Sequence, residues 1–325
     1  MGLRPIHIRR CLAGTTMSLG SFSIKVASIL ACAALAGCAQ MLPPLPTTVP
    51  GSYYQLGGDD KPVRLAVREM GRGKPMLLLH GLGASSYTWH AVMPRLAREH
   101  RVIALDLKGF GDSDKPLDDR YSIADQAGLV EDFITRNNLK DVTLVGHSYG
   151  GAVALAVALD DAVGRRRIDR LVLIDSLAYR QPVPFFFRLL RTPIIGEIGF
   201  NLIPPDVQIS RALSVAYYHD WKVNPETIAN YAGPLHSEGG KHALLKTVDS
   251  LASEDADAFA ARYRTLETPT LLIWCAHDRI VPLAFGKRLA RDLPNARIDV
   301  IHECGHIPQE EEPDETVATI QSFTR

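Results

Sequence analysis

Gly146-His147-Ser148-Tyr149-Gly150 constrains this chain more than any other stretch, because of what flanks it. The apolar run Val142-Thr143-Leu144-Val145 before it reads as a buried strand. The run after it, Gly151-Ala152-Val153-Ala154-Leu155-Ala156-Val157-Ala158-Leu159, is small and apolar enough to be a helix packed closely on a sheet. Strand, sharp turn and helix then carry a serine at the apex. A turn this tight leaves no room for side chains two positions either side of Ser148, where Gly146 and Gly150 stand. It lifts the hydroxyl out of the sheet and sets it beside the positive end of a helix. The pentapeptide alone arises often by chance; its strand and helix make it a candidate nucleophile.

The rest of the chain alternates in the same way from about Tyr53 onward. Val63 to Glu69 alternates polar and apolar residues, as an outer antiparallel strand would. Pro75 to His80, Val102 to Asp106, Leu171 to Asp175, Thr270 to Cys275 and Arg297 to Ile301 read as further strands, the first of them a continuous apolar run expected of burial on both faces. Helical segments run from about Tyr87 to Glu99 and from Ser122, a candidate N-cap, to Asn137. A closing helix runs from Pro313 to Phe323, with Pro313 suited to its first turn. This alternation specifies an α/β fold with a mostly parallel sheet. One interruption, about 178–266, is far too long for a loop and reads as a helical cap inserted between two strands. Some of Phe185, Phe186, Phe187, Tyr217, Tyr218 and Trp221 are expected to face the site beneath it, the others filling the cap's own core.

Residues 1–37 read as an address. Arg4, Arg9, Arg10 and Lys25 precede an apolar run from Val26 to Ala36, too short to span a bilayer comfortably and suited to a signal-peptide core. Met17 is an alternative start, since Met17 to Gly37 is a complete signal by itself. Leu35-Ala36-Gly37-Cys38 resembles the lipobox of bacterial lipoproteins, which implies cleavage before Cys38 and its acylation; the alternative is an ordinary secretory signal. Ala39 in place of an aspartate then favours the outer membrane, facing the periplasm. Residues 38–52, with four prolines between Pro43 and Pro50, read as a semi-rigid tether, and residues 53–325 as the folded domain. Formal net charge is zero and no basic stripe is present, so nucleic acid is not an expected partner. No internal repeat and no metal-ligand cluster or phosphate loop is apparent, so no cofactor or metal is expected.

The order of motifs resembles the α/β-hydrolase superfamily over nearly the whole mature chain, nearest to capped serine hydrolases such as lipases, esterases, haloperoxidases and carbon–carbon bond hydrolases. The resemblance implies a mostly parallel eight-stranded sheet flanked by helices, and a triad in the order Ser, Asp, His. Ser148 supplies the first member. Cys304-Gly305-His306-Ile307-Pro308, followed by glutamates and Pro313, places the base at His306, with His302 its competitor inside or at the end of a strand. Ala276-His277-Asp278-Arg279-Ile280-Val281-Pro282 places the acid at Asp278; Asp175 is the rival, or a turn-former at its strand end. The backbone N–H groups of Tyr149 and, in His80-Gly81-Leu82-Gly83, of Leu82 are the implied oxyanion donors. His80 is read as a brace for that loop, and Asp106 to Ser113 as a glycine-turned loop beside it, with Phe110 a candidate substrate contact. Cys275 and Cys304 lie close before Asp278 and His306, on strands adjacent in such a fold; a disulfide is within reach, and two buried free thiols are the simpler reading. The expected activity is cleavage of a small-molecule carboxylic ester with an apolar acyl or aromatic part, at a membrane reached through Cys38. A carbon–carbon hydrolase or perhydrolase with the same triad, and a non-catalytic tethered binding protein, are the alternatives.

Overall fold

The computed structural model describes residues 52–56, 62–181, 202–253 and 255–325. The signal segment, the lipobox with Cys38, the proline-rich tether as far as Gly51, and Phe185 to Phe187 lie outside the described residues.

Eight strands form one sheet: β1 Ser52–Leu56, β2 Val63–Gly71, β3 Pro75–Leu79, β4 Arg101–Leu105, β5 Val142–His147, β6 Ile168–Ile174, β7 Thr270–Cys275 and β8 Ala296–Ile301. Their spatial order is β1-β2-β4-β3-β5-β6-β7-β8. The β1–β2 and β2–β4 pairs are antiparallel and all others parallel. The strand read as an outer antiparallel one, Val63 to Glu69, is antiparallel to both neighbours and second from the edge. The edge is β1, a short Ser-Tyr-Tyr-Gln-Leu segment too polar to stand out by hydropathy. The longer helices are α1 Ile123–Arg136, α2 Tyr149–Ala158, α3 Pro205–Ala216, α4 Pro225–Ala232, α5 Glu238–Ser253, α6 Ala256–Ala261, α7 Leu283–Asp292 and α8 Pro313–Thr324.

Strand side chains alternate between two cores, as the two-residue period of a pleat requires. Leu77, Leu79 and Leu105 enter one with Val153 and Leu155 of α2; Met76, Leu78 and Ala104 enter the other with Trp89 and Ile320 of α8. Ser122 does cap α1, its hydroxyl accepting from the Asp125 N–H while the Asp125 carboxylate reaches back to the Ser122 N–H. Helices α3 to α6 all fall in the connection between β6 and β7. No helix among the described residues is long and apolar enough to cross a membrane.

Candidate active site

β5 passes into α2 through a single residue, Ser148, with φ 51° and ψ −117°. A non-glycine residue in this conformation is strained and persists only where its surroundings impose it. They do: a Cβ on Gly146 would lie 2.4 Å from the Gly150 carbonyl oxygen, and one on Gly150 equally close to the carbonyls of Leu79 and His80. Helix α2 can therefore press against β3 only because these positions carry no side chain.

The residues expected to act with Ser148 meet it across long sequence separations. The His306 Nε2 lies 3.0 Å from the Ser148 Oγ, and its Nδ1 lies 2.7 Å from the Asp278 Oδ2. The other Asp278 oxygen accepts the N–H groups of Ile280 and Val281, which fixes the carboxylate's orientation. With Nδ1–H donating to Asp278, Nε2 is free to accept the serine proton. Tyr149 is the first residue of α2, and Leu82 lines the cavity in front of Ser148. A Cβ on Gly81 would come within 3.3 Å of the Ser148 Cβ, so the loop carrying Leu82 runs directly past the serine. His302 is exposed and takes no part in this line.

Each of these groups is held by neighbours that the motifs did not single out. His147 donates from Nε2 to the His306 carbonyl at 2.7 Å, tying the β5 end to the histidine loop. Burial, and then the nearby His306, keep its pKa well below the ordinary range, so it holds that bond as a neutral ring. The Glu311 carboxylate accepts the N–H groups of Gly305, His306, Ile307 and, from the end of α3, Tyr218. Glu310 accepts the hydroxyls of Thr88, Tyr217 and Tyr231, the latter two belonging to the inserted helical region. His80 braces the loop carrying Leu82: its Nδ1 donates to the Gly81 carbonyl and its Nε2 accepts the Leu107 N–H.

Asp175 sits at the end of β6, fully buried, with φ 42°. One oxygen accepts the Cys275 N–H at 2.9 Å. The carboxyl faces Asp278, not His306. Burial first, and then the Asp278 charge, push its pKa well above the carboxylate range. The shift favours the protonated form of Asp175 beside Asp278. Asp175, Asp278 and His306 present donor atoms within 4.8 Å of one another, the one such trio among the described residues. The bond from His306 to Asp278 and the packing of Asp175 behind it account for that closeness.

Three expectations need correction. Cys275 and Cys304 are joined in a disulfide, with Cα atoms 5.1 Å apart, and are not two free thiols. The parallel pairing of β7 with β8 carries both strand ends to the same height, which brings them within reach. Phe110 is not on the lining of the cavity at Ser148: it is buried in the core, its ring edge-on to His80. Of the described aromatics expected beneath the cap, none lines the cavity. Tyr217 turns to Glu310, Tyr218 stacks on His277 with ring centroids 4.4 Å apart, and Trp221 is 74% exposed. Tyr231, Tyr179 and Phe259 line it instead.

The cavity has a volume of about 1280 Å³ and opens onto Ser148 and His306. Its lining is mostly apolar, with Ile209, Leu213, Ile280 and Ile307 among its members, and it also carries Arg180, Arg211 and Arg262. Glu131 and Asp160 lie on its lining farther along, where burial and then the Asp160 charge push the Glu131 carboxyl up to about 7.

An eight-stranded sheet with its serine at a strand-to-helix turn defines the class, and the chain belongs to the family described as alpha/beta hydrolase fold, whose model matches residues 74–313. It is a hydrolase by that membership. A relative 31% identical over 263 residues, 76% of this chain and 85% of its own length, is a 2-hydroxymuconate semialdehyde hydrolase of Pseudomonas sp. (strain CF600). A solved meta-cleavage product hydrolase from Pseudomonas fluorescens is 26% identical, with TM-score 0.68 over 80% of this chain and 94% of that one. An esterase from Exiguobacterium antarcticum shares the fold, with TM-score 0.71 at 21% identity over 84% of this chain and 99% of that one.

Proposed function

We propose that this protein is a serine hydrolase that cleaves carboxylic esters through an acyl-enzyme. The observation that carries the reading is the unbroken line of hydrogen bonds from Asp278 through His306 to a strained Ser148 at the mouth of a mostly apolar cavity. Ser148 Oγ attacks the ester carbonyl while His306 Nε2 takes its proton. The carbonyl oxygen becomes an oxyanion, which the N–H groups of Leu82 and Tyr149 stabilise, each contributing on the order of 3 kcal/mol. The intermediate collapses with His306 returning the proton to the departing alcohol. Water, deprotonated by His306, then attacks the acyl-serine and releases the acid. Asp278 holds the imidazole's tautomer and stabilises its charged form throughout.

The same triad serves a second reading, cleavage of a carbon–carbon bond, supported by the names of the relatives from Pseudomonas. The mostly apolar lining supports the ester, while Arg180, Arg211 and Arg262 on the same lining are the partners a carboxylate-bearing substrate of the second kind would need. Assays of the full chain in detergent with nitrophenyl esters and, in parallel, with 2-hydroxymuconate semialdehyde separate the two. Ester turnover that Ser148→Ala lowers by about 10⁴-fold or more is the expected result. Turnover of the semialdehyde alone would overturn the ester reading.

We further propose that the protein is exported and anchored by acylated Cys38, on the strength of the lipobox-like Leu35-Ala36-Gly37-Cys38. Three acyl chains hold a protein far more firmly than one, since each buried methylene adds roughly 0.8 kcal/mol. The disulfide suits an oxidising compartment. Cys38→Ser is expected to abolish incorporation of labelled palmitate and to move the protein out of the membrane fraction.

A further inference from the structure

The cavity does not end at the serine. Ala152 and Ala156 line it four residues apart and so on one face of α2, with Ser148 just before the helix and Asp160 two residues past its end. Opposite them stand Ala127, Gly128 and Glu131 of α1, and Leu244, Val248 and Leu251 of α5. The result is an apolar groove along the axis of α2, with the candidate nucleophile at one end and Glu131 and Asp160 at the other.

Two residues on the lining, half-buried Ala156 and exposed Gly128, present little or no side chain to the groove. Ala156 is the one residue of α2 that is not buried, in a helix otherwise packed on every side. Gly128 lies in the interior of α1, where glycine is unfavourable in a helix. Packing does not demand it there: a Cβ at Gly128 would meet nothing within 4 Å. This sets it apart from Gly146 and Gly150, whose absent side chains are required by backbone contact.

We infer that this groove is the acyl-chain site, and that the accepted length of the acyl chain is set by Gly128 and Ala156. The inference rests on the ester-cleaving reading above and names its substrate class. Ser148 and Ala156 are separated along α2 by about 12 Å at the rise of an α-helix. An extended chain advancing about 1.3 Å per carbon, given C–C bonds near 1.5 Å, covers that span with roughly nine carbons. Beyond Ala156 the lining turns polar at Glu131 and Asp160, so further methylenes gain little from burial.

The test is the ratio of kcat/KM for decanoyl and butyryl nitrophenyl esters in the full chain, in Gly128→Phe and in Ala156→Phe. Each methylene shut out forfeits about fourfold, so the ratio is expected to fall roughly a hundredfold in either variant. Gly128→Leu, a milder change favoured in helices, should lower it less and in the same direction. An unchanged ratio in all three variants overturns the inference, as does a matching fall for a series lengthened only on the alcohol side. Binding of decanoate to the full chain, measured by calorimetry, needs no turnover. If no ester is cleaved by the wild type but decanoate binds and each phenylalanine variant weakens it, the ester reading fails and the groove stands. Decanoate binding that ignores both substitutions removes the groove.

Discussion

At the scale of single residues, the least expected feature is the pair of carboxyls behind the histidine. Asp175 is fully buried at positive φ, accepts one backbone N–H from Cys275 and faces Asp278. Its folded pKa lies well above its unfolded value near 3.9, so the native state binds more protons than the unfolded state once pH exceeds that value. The stabilisation is complete below the unfolded pKa and declines as pH rises toward the folded one. Asp175→Asn keeps the shape, tolerates the left-handed backbone and presents an N–H to Asp278 in place of the acid proton. It is expected to fold and to show a flatter dependence of Tm on pH between about 4 and 7 than the wild type. Asp175→Ala strands the Cys275 N–H and is expected to cost about 1–3 kcal/mol in urea melts. A wild-type Tm that rises with pH across this window, with Asp175→Asn unchanged from it, would contradict the raised pKa of Asp175. Sequence reasoning weighed Asp175 against Asp278 for the same position because each follows a strand. It could not see them as partners, since their contact depends on β6 and β7 being neighbours in the sheet. His147 was hidden for a related reason: inside the pentapeptide it occupies a position that tolerates any side chain, and its bond to the His306 carbonyl spans 159 residues.

At the scale of elements, two consecutive glutamates divide the work of joining the inserted helices to the sheet's active end. Glu311 gathers N–H groups from the histidine loop and from Tyr218. Glu310 gathers hydroxyls from Tyr217 and Tyr231, at the end of α3 and in α4, and from Thr88. Burial raises the Glu310 pKa, against the pull of those hydroxyl donors. Glu310→Ala removes the shared acceptor of these three hydroxyls, which leaves Tyr231 with only its bond to the Thr88 hydroxyl and takes from Tyr217 its acceptor. Bonds to a charged acceptor contribute about 1.5–3 kcal/mol each, though relaxation keeps the sum below simple addition, so a loss of about 3 kcal/mol is expected. The expected signature is local: faster proteolysis between α3 and α5, ahead of cleavage in the sheet. Uniform destabilisation with no change in the cleavage pattern would argue against a latch. The existence of an inserted helical region was legible from the sheer length between two strand signals. Which of its aromatics meets the cavity was not, because Tyr217 and Tyr218 are placed by acceptors and ring partners on other elements. The strands of the sheet interior were legible as apolar runs, whereas β1 at the edge carried no such signal.

At the scale of the whole molecule, the Cys275–Cys304 bond closes the loop that contains β8 and both approaches to the histidine. Cys275 ends β7 three residues before Asp278, and Cys304 stands two residues before His306, so the bond crosses the base of the turns carrying the acid and the base. The sequence separation is 29 residues. Loop-closure entropy for a loop of that size gives about 3.6 kcal/mol of stabilisation through the unfolded state, before any strain in the native one. Both sulfur-bearing residues are fully buried, so reductant alone should act slowly on the folded protein and quickly once urea opens it. The double variant Cys275→Ala, Cys304→Ala should fold, since small apolar side chains suit the site, with a urea midpoint lowered by the equivalent of about 3–4 kcal/mol. Replacing one cysteine alone leaves a free thiol and should cost at least as much. Ester turnover by the double variant below its melting point separates two roles for the bond. Retained kcat would mean that Glu311 and the Asp278 backbone contacts suffice to hold the acid–base geometry, leaving the disulfide to resist unfolding. A kcat that falls while the fold remains intact would mean the bond sets the His306 to Ser148 distance, which is 3.0 Å here. The first outcome is expected, because Asp278 and His306 are each held by backbone N–H groups that do not depend on the sulfurs.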